Sequence, residues 1–248
     1  MSAVRTVGVD SLPGATGVGI SIVVIDSGVN PDHPHIAGVA GGVGFTPDGS
    51  ERPDHVDRLG HGTAVTAAIQ EKAPAAEIYV VKVFDDALAT SVATLVRAID
   101  WATDRGVTIV NLSLGTPNAH RAEVLAPAVE RAVRRGTLII SAREHDGVEW
   151  LPGSLEGVLG VVLDPDCPRD AVRVDPTLPG LGASPYPRPI PGVPPERNLN
   201  GISFAVANAT GLVARALEVS GDAERATAAK VLAMLGTLAG SAPPTRAP

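Results

Sequence analysis

The sequence of 248 residues predicts an α/β protein of three layers, with a central, mainly parallel sheet and helices on both faces. Three observations predict it. Short apolar runs bounded by glycine or aspartate alternate with stretches whose apolar residues recur at the helical period. Strands that alternate with helices imply parallel pairing, with helices covering both faces of the sheet. The segment Phe204 to Val219 is apolar almost all the way round, as a helix is when most of its sides are buried.

Each element has its own justification. Residues 1–17 read as an irregular lead-in. Ile20 to Ile25 is an apolar strand that ends in Asp26-Ser27-Gly28. Gly38 to Pro53, rich in glycine and acidic toward its end, reads as loops. Gly60-His61-Gly62-Thr63 opens a short helix toward Gln70, and Ala76 to Phe84 is a strand. Asp85-Asp86 reads as a solvated turn. Thr90 to Arg105 carries Val92, Leu95, Val96, Ile99 and Ala102 at helical spacing, with Gly106 as its stop. Val107 to Gly115 is a strand, His120 to Arg135 a helix, and Thr137 to Ala142 and Gly157 to Leu163 are strands. Asp164 to Arg197 is dense in proline and reads as a surface meander. Phe204 to Val219 and Ala223 to Leu238 are the last helices. The reading gives one domain over 1–240, with no propeptide before it, and a disordered tail over 241–248. In parallel sheets ligands gather at the carboxyl ends of strands, where Asp26, Ser113 and Ala142 fall.

Composition excludes several classes. The formal net charge is −7 and aromatic residues make up 3% of the chain, which argues against nucleic acid and acidic membrane surfaces as partners. The apolar runs are short, and the N-terminus lacks the layout of a signal peptide. The single cysteine, Cys167, allows no internal disulfide and fits a reducing, cytoplasmic setting. It has no histidine beside it, so it does not read as a nucleophile. His33 and His35 have a spacing that can bind metal, but they lie in a turn-like run, and no metal or cofactor is expected.

The chemistry begins at Ser203, at the start of the most apolar helix. A lone serine there is normally a cap. Two other stretches change that reading: a buried strand ending in Asp26, and His61 between two glycines. A serine hydroxyl becomes a nucleophile when a histidine takes its proton and a carboxylate orients that histidine. The chain order Asp, His, Ser separates one lineage of such enzymes from two others. With Asp26-Ser27-Gly28, His33-Pro34, Gly60-His61-Gly62-Thr63 and Gly201-Ile202-Ser203-Phe204-Ala205, the sequence resembles the subtilisin-like serine peptidase family over nearly its whole length. The resemblance implies a triad of Asp26, His61 and Ser203. It implies a peptide or protein substrate lying extended along Ser113-Leu114-Gly115, with Ser141, Ala142 and Trp150 also against it. It also implies a calcium loop after the His61 helix, for which the short run Ala67 to Pro74 leaves no room.

Three positions depart from the family. Where it usually has Ala-Gly-Asn, with the Asn side chain donating to the oxyanion, this chain has Ala142-Arg143-Glu144. Ile202 stands where a threonine is usual. Trp150 falls near the floor of the primary pocket and Arg143 on its wall, so the pocket is expected to be shallow or blocked. A protonated Glu144 or the charge of Arg143 would restore the hole; an ionised Glu144 would repel the oxyanion. The expected function is a selective intracellular processing endopeptidase with an atypical oxyanion hole; the alternatives are a silent peptide- or partner-binding module and an acyl-transferring ligase or cyclase.

Overall fold

The computed structural model describes residues 4–178, 180–194, 197–223 and 226–238. The strands are β1 (Arg5–Gly8), β2 (Ser21–Asp26), β3 (Gly41–Phe45), β4 (Glu51–Arg52), β5 (Glu77–Lys82), β6 (Ile109–Leu112), β7 (Leu138–Ala142), β8 (Glu144–His145), β9 (Val148–Glu149), β10 (Leu159–Leu163), β11 (Ala171–Val174) and β12 (Leu181–Ala183). The helices are α1 (His61–Lys72), α2 (Val92–Asp104), α3 (Ala122–Arg134), α4 (Ile202–Ser220) and α5 (Ala228–Leu238). Ten strands form one sheet in the order β1-β11-β12-β10-β7-β6-β2-β5-β3-β4, and β8 with β9 forms a separate hairpin. Every pair from β12 to β3 is parallel, and the antiparallel pairs lie at the two edges.

The alternation of β2 shows why the sheet is covered on both faces. Ile22 and Val24 belong to a cluster with Val65 and Ile69 of α1, Leu212 of α4 and Leu235 of α5. Val23 and Ile25 belong to a second cluster, with Leu95 and Ile99 of α2 and Leu125 and Val129 of α3. α4 runs through the first cluster. By length and composition it could cross a membrane, but 72% of its most apolar window is buried in the fold. α1 crosses it closely. A Cβ on Gly211 would lie 2.8 Å from Lys72 Cβ and 3.1 Å from the Ile69 carbonyl. At the far end of α4, Glu218 Oε2 accepts the backbone N–H groups of Thr16, Gly17 and Val18 at 2.7, 2.6 and 3.1 Å.

The structure corrects the element reading in several places. The lead-in contains β1, which pairs antiparallel with β11. The glycine-rich stretch contains β3 and β4: Gly42 and Gly44 sit where a Cβ would meet the Val80 carbonyl at 2.6 Å and the Asp54 carbonyl at 2.3 Å. These glycines permit close backbone approach within a strand and do not mark a loop. The proline-rich stretch supplies β11 and β12, and their Val172, Leu181 and Ala183 are fully buried. The last helix starts at Ala228, five residues later than the periodicity suggests. Residues 73–76 alone join α1 to β5. Asp85 is not simply solvated, since it pairs with Arg52 and lies 3.5 Å from the buried Lys82. The expected tail, 241–248, lies outside the described residues.

Candidate active site

β2 is buried to its last residue, and the Asp26 carboxylate at its carboxyl end is inaccessible to solvent. Asp26 Oδ1 accepts the Ser27 N–H at 2.7 Å and lies 2.7 Å from His61 Nδ1, while Oδ2 is buried without a partner. That contact puts the Nδ1 proton toward the carboxylate and leaves Nε2 as the basic nitrogen. His61 is the first residue of α1, and its side chain is 17% exposed. The turn before it depends on glycine: Gly60 has φ 82°, and a Cβ on Gly62 would stand 2.2 Å from the Gly28 carbonyl. Burial pushes the imidazole down, but the Asp26 hydrogen bond and charge, with help from Asp57, leave it above its usual 6.5.

Ser203 is the second residue of α4, which no side chain caps. The first turn therefore offers unpaired N–H groups at the positive end of the helix dipole. The Ser203 hydroxyl donates to the Ser113 carbonyl at 3.0 Å and makes no hydrogen bond to His61. A polar chain fixes this spot from beneath. Thr210 Oγ1 donates to Asn111 Oδ1 at 2.9 Å, Asn111 Nδ2 to Ser113 Oγ at 2.9 Å, and Ser113 Oγ to the Ser203 carbonyl at 3.2 Å. A staggered rotation about χ1 is all that moves the Ser203 hydroxyl off Ser113.

Two cavities meet at Ser203. One, of about 780 Å³, is lined by His61, Ser113, Leu114, Gly115, Trp150 and Ser203. The other, of about 410 Å³, is lined by Ser113, Leu114, Ala142, His145, Trp150, Leu163 and Asn200 to Ser203. Trp150 is thus a wall common to both; of the shallow or blocked pocket expected there, the blocked form is not what the structure has, since a cavity remains open beside it. Ser141, expected against substrate, lines neither cavity: it is buried, and its hydroxyl donates to the Leu112 carbonyl at 3.0 Å. Arg143 and Glu144, expected at the oxyanion position, line neither, whereas His145 lines the smaller cavity. The reason is a break in strand alternation at Arg143, between β7 and β8. Arg143 Nη2 reaches to 3.9 Å from Glu149. The hairpin turn at Asp146 (φ 52°) and Gly147 (φ 75°) then holds His145 edge-on to Trp150, with ring centroids 6.1 Å apart.

Other groups have quieter roles. His33 Nδ1 accepts the His35 backbone N–H at 3.2 Å, a turn contact. Burial raises the Cys167 thiol to about 11, and it donates to the Ala171 carbonyl, which makes it a poor nucleophile. Sequence reasoning gave His145 only a part as a neighbour that could tune Glu144, with exposure the favoured reading, and it missed Asn111, Thr210 and above all Asp57. The available signal for Asp57 was its place in a glycine-containing turn just before His61.

Comparison with known proteins points one way. The model of the subtilase family matches residues 17–145. Subtilisin Savinase of Lederbergia lenta is 34% identical over 143 residues, 54% of this chain and 51% of that protein. Subtilisin E of Bacillus subtilis is 33% identical over 143 residues, 54% of this chain and 36% of that protein. The chain thus spans about half or less of the length of these curated relatives. A solved cold-adapted subtilisin-like serine proteinase superposes with a TM-score of 0.67 at 20% identity, covering 90% of this chain and 83% of that one, a likeness of fold.

Proposed function

The chain belongs to the subtilase family, and from that premise we propose that it is a serine endopeptidase that processes one or a few peptides in a cytoplasmic setting. One observation carries the reading: His61, held 2.7 Å from the buried Asp26 carboxylate, shares a cleft with Ser203 at the uncapped start of α4. In this reading an extended peptide lies along Ser113-Leu114-Gly115. Ser203 Oγ bonds to the scissile carbonyl carbon as its proton passes to His61 Nε2, and the carbonyl π electrons move onto oxygen. When the C–N bond breaks, the same proton goes to the leaving amine. Water, activated by His61, then cleaves the acyl-enzyme. The Ser203 N–H is one donor to the oxyanion. His145, fixed against Trp150 on the wall of the smaller cavity, is the second.

A second reading, a peptide-binding module without turnover, is favoured by the Ser203 hydroxyl resting on Ser113 and not on His61. Acyl transfer to an amine would use the same groups. Incubation with a peptide library, followed by mass spectrometry, tests all three. The expected result is paired fragments that sum to the parent plus water, present with wild type and absent with Ser203→Ala. Joined fragments would mark transfer, and saturable binding with no products would mark the module.

A further inference from the structure

Asp57 lies outside the expected triad, four residues before His61, and its side chain is spent on the turn that carries His61 and on Ser27 beside Asp26. Asp57 Oδ1 accepts the Ser27 hydroxyl and the N–H groups of Leu59 and Gly60, each at 2.9 Å. Asp57 Oδ2 accepts the N–H and the hydroxyl of Thr63 at 2.9 and 2.6 Å. These contacts link two separate elements. Ser27, which follows Asp26, donates its hydroxyl to Asp57 and accepts the Gly62 N–H at 2.8 Å. Gly62 follows His61. The end of β2 and the start of α1 are therefore joined through one carboxylate and one hydroxyl.

The segment holding Asp57 is itself clamped. The Val29 N–H donates to the His55 carbonyl and the Asp57 N–H to the Val29 carbonyl, both at 3.0 Å. The buried Lys82 ammonium donates to the Val56 carbonyl at 2.7 Å. At Gly28 a Cβ would meet the His55 carbonyl at 2.4 Å, so the two segments touch backbone to backbone. A carboxylate that is 8% exposed and accepts this many hydrogen bonds remains ionised. Burial opposes its charge, yet the Thr63, Leu59 and Gly60 donors hold it below the usual carboxylate range.

We propose that Asp57 is a positioning residue for His61, which locks the imidazole against Asp26 by tying the end of β2 to the turn before α1 and holds a second fixed negative charge within that turn. Of the charged groups around the imidazole, Asp26 from β2 touches it and Asp57 from the turn before α1 acts on it through space, while α4 contributes the uncharged Ser203 and Phe204. The inference rests on the peptidase reading only for its effect on turnover.

The test measures the His61 imidazole titration by NMR in a Ser203→Ala background, with and without Asp57→Asn and Asp57→Glu, beside kcat/KM of the same variants in the Ser203 form. Asp57→Asn removes the charge and is expected to lower the imidazole pKa by about 0.5 to 1 unit. It should also reduce kcat/KM on the order of tenfold or more, through kcat, because misplacing a catalytic group by an ångström costs rate. Asp57→Glu keeps the charge and displaces the turn: the titration stays near wild type and kcat falls. Ser27→Ala, which cuts the link but leaves the carboxylate, lowers kcat and serves if the Asp57 variants fail to fold. An unchanged imidazole titration in Asp57→Asn, or a full kcat in Ser27→Ala, overturns the proposal. A titration that shifts with Asp57→Asn, beside a wild-type protein that cleaves nothing, would leave the positioning role standing and remove the peptidase reading.

Discussion

At the scale of single residues, His61 and its surroundings set the pH dependence. The base form of His61 does the work, so kcat/KM rises as the imidazole loses its proton. Its neighbours hold that proton harder than solvent does, and the acid limb of the kcat/KM profile is therefore expected above pH 6.5. A limb at or below that value would mean that the Asp26 contact is weaker in solution. The oxyanion side gives a second expectation. His145 lines the cavity at Ser203 and Glu144 does not, so His145→Ala should cost about 10²-fold in kcat, the scale of one lost donor. Glu144→Ala should change kcat by less than about threefold, since it removes no group from the cavity. The reverse ranking would put Glu144 at the oxyanion. Asp26, His61 and Ser203 were legible in the sequence because each sits in a short run of small residues whose spacing is itself distinctive. His145 was not: a break at Arg143 changes which side chains face the cavity, and no residue type announces such a break.

At the scale of elements, the site is held by helix ends that glycines allow to approach. α1 presents His61 and α4 presents Ser203, and the two helices pack at Gly211. Gly211→Ala pushes a methyl group to 2.8 Å from Lys72 Cβ. The expected outcome is a loss of about 1–3 kcal/mol in a denaturant melt, the scale of overpacking a filled core. A neutral result would show that α1 and α4 slide apart freely. The long helices and the parallel strands were legible from periodicity. β3 was not, because its glycines read as a loop until the neighbouring backbone shows why a Cβ is excluded at Gly42 and Gly44. β1 was hidden for a different reason: its pairing with β11 joins the start of the chain to residues beyond 170, a contact no local pattern encodes.

At the scale of the whole molecule, stability should rise with pH across an unusual window. Lys72 is 2% exposed, and burial lowers its pKa from 10.5 to about 8, against an opposing pull from Glu71. Between those values the unfolded chain binds a proton that the folded one has released, so ΔG of unfolding grows as pH rises from about 8 to 10.5. The rise is on the order of 3 kcal/mol at most. Lys72→Met should flatten it, as read from urea midpoints across that range. An equal slope in both proteins would assign it elsewhere.

The most direct test of the account is whether Ser203 is an activated nucleophile. The chain would be treated with a fluorophosphonate probe at pH 8 and the labelled peptide mapped, beside Ser203→Ala and His61→Ala. Covalent label is expected on Ser203 in wild type, none in Ser203→Ala, and at least a hundredfold slower labelling in His61→Ala. Wild type that stays unlabelled while folded, with the Ser203 hydroxyl still held on Ser113, would contradict it and leave a peptide-binding protein on a peptidase fold.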